Sequence, residues 1–462
     1  MHKTTRFLIH ILTVLLVWSM SACTTAAAPQ PETSPDQVEV PAASTGAENG
    51  PWLVVQTDDS VDMRQVEGDG VNTLLWGSSA AQPAVFFAHE NPDNPSGWFA
   101  LLDSQTMTLR IHASPGEEPA TEIPPLSNPE INEGQMTAFR QVLTSTAPPA
   151  LAWSPDGGAA VFLAAIDHPS LELYLFDSSN LSVTRLLEGS RDVYQPTWSP
   201  DGQWVVYDEI DGLNTIGLWS VTAVKAVRAN ASQTVTLYEP LSYAEPRLGW
   251  SSPDAFIVHS ARDRGPVDMR EVSLESGKAS PIFNGVFSSP AYDPASGQAF
   301  FILSDNFNDA DAQPPGIYRA SKTRPPELLS PGTWISLEWN AASGVLLAVE
   351  EASGAAAINP SGQIVRFAGE NNLPTVSAQG DLYAFSGGEG SPRPGLRVYS
   401  GEGDLVVDAS STAVEGRWWL PGGQLAYTQG DDLFLLANPS AQPLMLERDA
   451  TVLGWYNYTS LP

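Results

Sequence analysis

Pro196-Thr197-Trp198-Ser199-Pro200-Asp201-Gly202-Gln203-Trp204-Val205-Val206-Tyr207 is a tight turn held between a tryptophan and a short apolar strand. Pro200 pre-sets φ at the second turn position, Ser199 can hydrogen-bond the turn backbone from the first, and Gly202 suits the fourth. Trp198 offers a large apolar face to whatever packs beside it. The same unit stands upstream as Trp153-Ser154-Pro155-Asp156-Gly157. A degraded copy follows as Trp250-Ser251-Ser252-Pro253-Asp254. The copies are about 45 and then about 52 residues apart, the length of a four-stranded β-propeller blade. The motif residues are therefore structural, not catalytic.

Working outward, each unit reads as strands a to d with a innermost, and hydrophobic alternation is visible throughout. The first unit takes 71–76, 84–88, 98–102 and 108–111. Later units begin near positions 150, 196, 246, 290, 337, 374 and 417. The fold class is all-β, a single propeller of eight four-stranded blades, with seven left open. Segments 52–56 and 61–66 look like strands c and d without a preceding pair, and 451–456 is a further inner-strand candidate. Pairing an N-terminal strand with a C-terminal blade would remove the open edges.

The termini lie outside that pattern. Lys3 and Arg6 precede an apolar run of about a dozen residues, too short for a comfortable membrane span. Small residues follow, as in a secretory signal peptide over 1–22. The single cysteine, Cys23, falls at the expected cleavage point. Met20-Ser21-Ala22-Cys23 resembles a bacterial lipobox, with Met where Leu is usual. That resemblance implies acylation of Cys23 and anchoring of the protein to a bacterial membrane by lipid alone. Residues 24–50 are Ala, Thr, Pro, Ser, Glu and Gln and read as a disordered tether. The propeller is then 51–462, a monomeric extracytoplasmic body without a disulfide. Acidic residues number 53 against 22 basic, a formal net charge of −31. Such a surface excludes nucleic acid and direct adhesion to anionic lipid.

The motif at 196–207, with its near match at 152–162, resembles the repeat of TolB-like propellers and of the propeller domains of prolyl oligopeptidase relatives. The other units match in outline. The resemblance implies a non-catalytic envelope protein that binds a partner protein. The extra N-terminal α/β domain of TolB itself has no counterpart in the pattern of this chain.

In a propeller the a–b turns lie on one face, and the b–c and d–a loops on the other. The a–b turns here are tight. Longer connections, at 92–97, 259–267, 304–316, 387–395 and the 113–147 stretch, are expected on the second face, which makes that rim the candidate binding face. Acids close several b strands: Glu90, Asp167, Asp208, Glu209 and Asp211. Asp305, Asp309 and Asp311 fall in the same class of loop. Arg262-Asp263-Arg264 interrupts them as an anchor for a partner's carboxylate. His89, His168 and His259 fall in equivalent b–c regions of three units.

Catalysis finds little support. No Gly-x-Ser-x-Gly elbow or His-Glu-x-x-His motif occurs. The stretch 305–311 carries alternate Asp and Asn, yet fails the spacing of a calcium loop. No cofactor is expected, with calcium the one candidate. The partner is then an envelope protein or a small extracellular ligand. A propeller hydrolase or lyase with acids at the channel mouth, and carbohydrate or cell-wall binding through Trp98 and Tyr243, stay as alternatives.

Overall fold

The computed structural model describes residues 50–458, apart from 58–59, 68–70, 79–83, 89–96, 115–116, 146–147, 188, 190, 212–219, 240–246, 263–264, 305–312 and 389. The expected leader, Cys23 and most of the tether lie outside the described residues.

The described strands form nine antiparallel sheets of four. Numbered from the closing blade, the inner strands are Thr451–Tyr458, Ala84–Ala88, Leu151–Trp153, Asp192–Trp198, Arg247–Ser252, Ser288–Asp293, Trp334–Asn340, Thr375–Val376 and Gly416–Trp419. In blade 1 the C-terminal strand pairs with Gly50–Gln56, from Gly50 opposite Tyr458 to Gln56 opposite Thr451. Val61–Glu67 and Val71–Ser78 continue that sheet outward. The same C-terminal strand lies against the inner strands of blades 9 and 2. The ends thus supply one blade between them, and the expected closure holds.

The count is nine, not eight, because the two end fragments join the strand read as the start of unit one. Val71–Ser78 is the outer strand of blade 1. Blade 2 then runs Ala84–Ala88, Phe99–Asp103, Thr108–His112 and Thr121–Ile123, one strand later than expected. The stretch 113–147 accordingly holds an outer strand and a helix, α1 (Glu133–Leu143). A capping box starts the helix. Asn132 Oδ1 accepts from Gln135 N at 3.0 Å, and Gln135 Oε1 accepts from Asn132 N at 3.2 Å. Ala138, Phe139, Val142 and Leu143 are its buried side.

Apolar packing passes from blade to blade around the ring. Trp52, Val54 and Met63 meet Phe99 and Leu101 between blades 1 and 2. One continuous cluster spans blades 2 to 5. Phe301, Met269 and Phe287 fill the gap between blades 5 and 6. Leu53, Val55, Leu433 and Leu435 close the circle between blades 9 and 1. Full burial of such a side chain contributes about 1.5–3 kcal/mol.

The turn motif performs two jobs. Ser199 Oγ donates to Asp201 Oδ1 at 2.6 Å and accepts from Trp204 N at 2.9 Å. Gly202 N closes the turn on Ser199 O at 2.9 Å. Gly202 sits at φ +69°, where a side chain would be strained. Ser154 and Asp156 repeat the Ser–Asp bond at 2.6 Å. At three blade boundaries a tryptophan on the inner strand staples its blade to the previous one, though the Trp250 indole makes no such bond. Trp153 Nε1 donates to Phe87 O at 3.1 Å, Trp198 Nε1 to Ala152 O at 2.9 Å, and Trp419 Nε1 to Thr375 O at 3.2 Å.

Candidate functional site

The b–c and d–a connections share one face, and two of them are built into each other at blades 2 and 3. Ala165 N donates to Pro125 O at 2.7 Å, and Asn128 N to Ala165 O at 3.1 Å. Gln135 at the start of α1 reaches Pro169 O at 3.3 Å. This fixed corner presents Asp167 and His168. Asp167 is exposed, with Oδ2 accepting from the Tyr174 hydroxyl at 3.4 Å. His168 Nδ1 accepts from Ser170 N at 3.2 Å and lies 3.8 Å from Glu172 Oε1.

Glu172, in the third strand of blade 3, is 1% exposed. Arg185 on the outer strand neutralises it, with Nη2 donating at 2.6 Å. Across the boundary, Asp192 opens the inner strand of blade 4 and accepts from Leu171 N at 2.8 Å. Burial pushes the Asp192 carboxyl above the usual range, and the charge of Asp211 adds to that push, while His168 opposes it. His168, Glu172, Asp192 and Asp211 therefore meet where blades 3 and 4 join.

From this cluster a groove of about 1130 Å³ runs down between blades 3 and 4. Its cause is a mismatch of strand length. The second and third strands of blade 4, Trp204–Asp211 and Ser220–Arg228, have eight and nine residues, whereas the outer strand of blade 3, Ser182–Arg185, has four. Glu172 with Arg185 line one wall. Glu209 lines the other, its Oε1 accepting from Lys225 Nζ at 2.6 Å. Arg191, also lining the groove, is exposed and has no carboxylate partner among the described residues.

Other expected residues fall elsewhere. Asp208 is no rim acid: it is 1% exposed, and its Oδ1 lies 3.8 Å from Arg247 Nη1 of blade 5. Position 208 sits two residues beyond the pairing of Thr197 with Val206, and that register turns it inward. His259 lies within the second strand of blade 5, opposite Met269, not in a loop. It packs edge-on to Phe287 at 6.0 Å, and burial drives its imidazole down to about 4. The equivalence of the three histidines fails for a second reason. Ala84–Ala88 is the first strand of blade 2 and not the second, so position 89 does not follow a b strand in the chain order. Strands Ala255–Arg262 and Gly265–Ser273 leave only two residues between them, so the long loop expected at 259–267 is a hairpin.

His89, Glu90, Asp263, Arg264, Asp305, Asp309 and Asp311 lie outside the described residues, as does the side chain of Arg262. The calcium candidate falls there too, and so does Tyr243. Trp98 is half-buried, edge-on to Phe176 at 5.6 Å. Glu172, Asp192, Arg191 and Lys225 escaped sequence reasoning. Lys225 and Glu209 carried a usable signal, because neighbouring antiparallel strands bring such pairs together once the register is known.

This geometry defines a β-propeller protein. Neither a protein-family model nor a curated protein sequence matches the chain. Solved structures match its fold. A crystal structure of the eukaryotic initiation factor aligns with a TM-score of 0.58 at 12% identity, covering 89% of this chain and 98% of that one. Dipeptidyl peptidase 4 of Porphyromonas gingivalis aligns with a TM-score of 0.50 at 13% identity over 80% of this chain, which spans 60% of the peptidase. A prolyl endopeptidase structure gives a TM-score of 0.38 at 11% identity, over 80% of this chain and 50% of that one. At these identities the likeness to the initiation factor and to dipeptidyl peptidase 4 is one of fold alone.

Proposed function

We propose that this chain is an envelope lipoprotein, acylated at Cys23, whose TolB-like propeller binds a partner protein through its loop-rich face without catalysing a reaction. The observation that carries the reading is the groove between blades 3 and 4. It opens at that face, its walls bear the opposed ion pairs Glu172–Arg185 and Glu209–Lys225, and Arg191 stands at its edge with no carboxylate partner among the described residues. Charges held in pairs on rigid strands orient a partner at little entropic cost. The lining sets three cations, Arg185, Arg191 and Lys225, against three acids, Glu172, Glu209 and Glu239, and Arg191, outside the two ion pairs, is the group that favours a carboxylate of that partner.

The test is cross-linked affinity capture from native envelopes, comparing the full mature chain with an Arg191→Glu, Lys225→Glu double variant. One protein recovered by the first and lost from the second supports the reading. Equal recovery by both, or recovery of nothing, removes the groove from it. Metabolic labelling with a fatty acid, lost in Cys23→Ala, tests the anchor separately.

A further inference from the structure

The chain compares itself with itself at two places on the loop-rich end of the inner strands. Arg247 of blade 5 and Arg417 of blade 9 occupy the same register. Each lies opposite the residue two beyond the partner of the following tryptophan: Val258 beyond Phe256 for Trp250, and Tyr427 beyond Leu425 for Trp419. Both reach back to the preceding blade and take the same two groups there. Arg247 donates to the Gln195 carbonyl and, at 2.7 Å, to Thr197 Oγ1. Arg417 donates to Leu373 O at 3.3 Å and to Thr375 Oγ1 at 3.1 Å.

The third group differs. Thr197 pairs with Val206, and two residues on stands Asp208, whose carboxylate faces Arg247 at 3.8 Å. Thr375 pairs with Ala384, and two residues on stands Ser386, whose hydroxyl accepts from Arg417. Blade 8 therefore places a neutral hydroxyl where blade 4 places a carboxylate.

Arg417 is also the exception among the described arginines. Ten of them form ion pairs. Among the described residues Arg140, Arg191, Arg324 and Arg448 meet no carboxylate but are exposed, whereas Arg417 meets none and is partly buried. Nearby Arg397 shows the usual solution, with Glu370 gripping it at 2.5 and 3.0 Å. A partly desolvated cation without a counter-charge is costly, and burial accordingly presses the Arg417 guanidinium toward its neutral form. Of its five N–H groups, three are engaged by Thr375, Ser386 and Leu373. Among the described residues nothing engages the remaining N–H on each terminal nitrogen.

We propose that Arg417 is the anchor of a carboxylate-binding site between the inner strands of blades 8 and 9, where a ligand's carboxylate supplies the charge that Asp208 supplies to Arg247. The carboxylate comes from a small organic acid or from the C-terminus of a peptide, and the probes separate the two. The site is independent of the groove between blades 3 and 4.

The experiment follows line-broadening of carbon-13 succinate, and separately of a tetrapeptide with free or amidated C-terminus, on the full mature chain. Broadening by the wild type, at least tenfold weaker binding in Arg417→Met, and no change in Arg324→Met are expected. Ser386→Asp writes the missing carboxylate into blade 8. It should abolish binding while raising the melting temperature, and it guards against an Arg417 variant that fails to fold. The reciprocal Asp208→Ser should create a second site. Broadening by succinate assigns a small acid; broadening only by the free-C-terminus peptide assigns a peptide end. No broadening by either probe, or binding unchanged in Ser386→Asp, overturns the proposal.

Discussion

Replacing Ser199 by Ala isolates the physics of the turn motif. Ser199 is fully buried, and its hydroxyl is the acceptor for the buried Trp204 N–H at 2.9 Å. The substitution leaves that N–H without a partner. Gln203 N keeps Asp201 Oδ1 at 3.1 Å, so only one donor is orphaned. An unsatisfied buried N–H costs about 1–3 kcal/mol, and the lost bond to the exposed Asp201 adds little. A loss of about 2 kcal/mol follows. The unfolding entropy of a domain of roughly 400 residues is about 0.9 kcal/mol per degree, so the melting temperature should fall by about 2 °C. Differential scanning calorimetry at one fixed scan rate reads it. Ser232→Ala is the control, since that hydroxyl makes the same kind of local bond, to Asn230 at 2.6 Å, on the exposed surface. A Ser199→Ala protein melting within half a degree of wild type by that scale, or falling no further than Ser232→Ala, would refute the argument.

Glu370→Ala strips the counter-charge from Arg397, itself 3% exposed, and should cost about 3–5 kcal/mol, seen in the same calorimetric scan. His259 titrates near 4 in the folded protein and near 6.5 when unfolded. The unfolded chain therefore binds the extra proton between those values, and stability falls as pH drops through that window. His259→Leu should remove up to about 3 kcal/mol of that loss, measured as the difference in urea unfolding between pH 7.5 and 4.5; an unchanged difference counts against it. Ending the chain after Ala450 deletes the inner strand of blade 1 and bares an edge of Gly50–Gln56. Loss of cooperative unfolding and self-association in sedimentation are expected.

What could be read in advance follows the strength of the local chemistry. Blades 3 and 4 carry the complete turn, so their strands emerge where Trp153 and Trp198 place them. Blade 2 carries no such turn. Val71–Ser78 is apolar and contains Trp76, like an inner strand, and period-2 alternation cannot tell an inner strand from an outer one. Thr121–Ile123 is three residues long with Glu122 in the middle, too short and polar to register. The Asn132-to-Gln135 capping box was a helix signal that strand-based reading passed over. The acids at the ends of b strands were found, but not their roles. Asp208 and Glu209 are adjacent and point to opposite faces, one to Arg247 and one to Lys225. Alternation puts them on opposite faces, but which face each meets depends on the pairing of Trp204–Asp211 with its neighbours, and both of those neighbours carry a bulge, near 195–196 and at 222, that sequence alternation does not reveal.

The joining of Gly50–Gln56 to Thr451–Tyr458 also sets a clock. Residues roughly 400 apart must meet before blade 1 exists, and a pairing that distant is among the slowest to form. Until the last strand is made, eight blades can fold on local contacts while the ring stays open at one seam. The N-terminal strands wait there with an unpaired edge. The interval between synthesis of the first strand and arrival of the last is therefore the period when this chain is most exposed to misassociation. A stall late in translation should be more damaging than the same stall earlier.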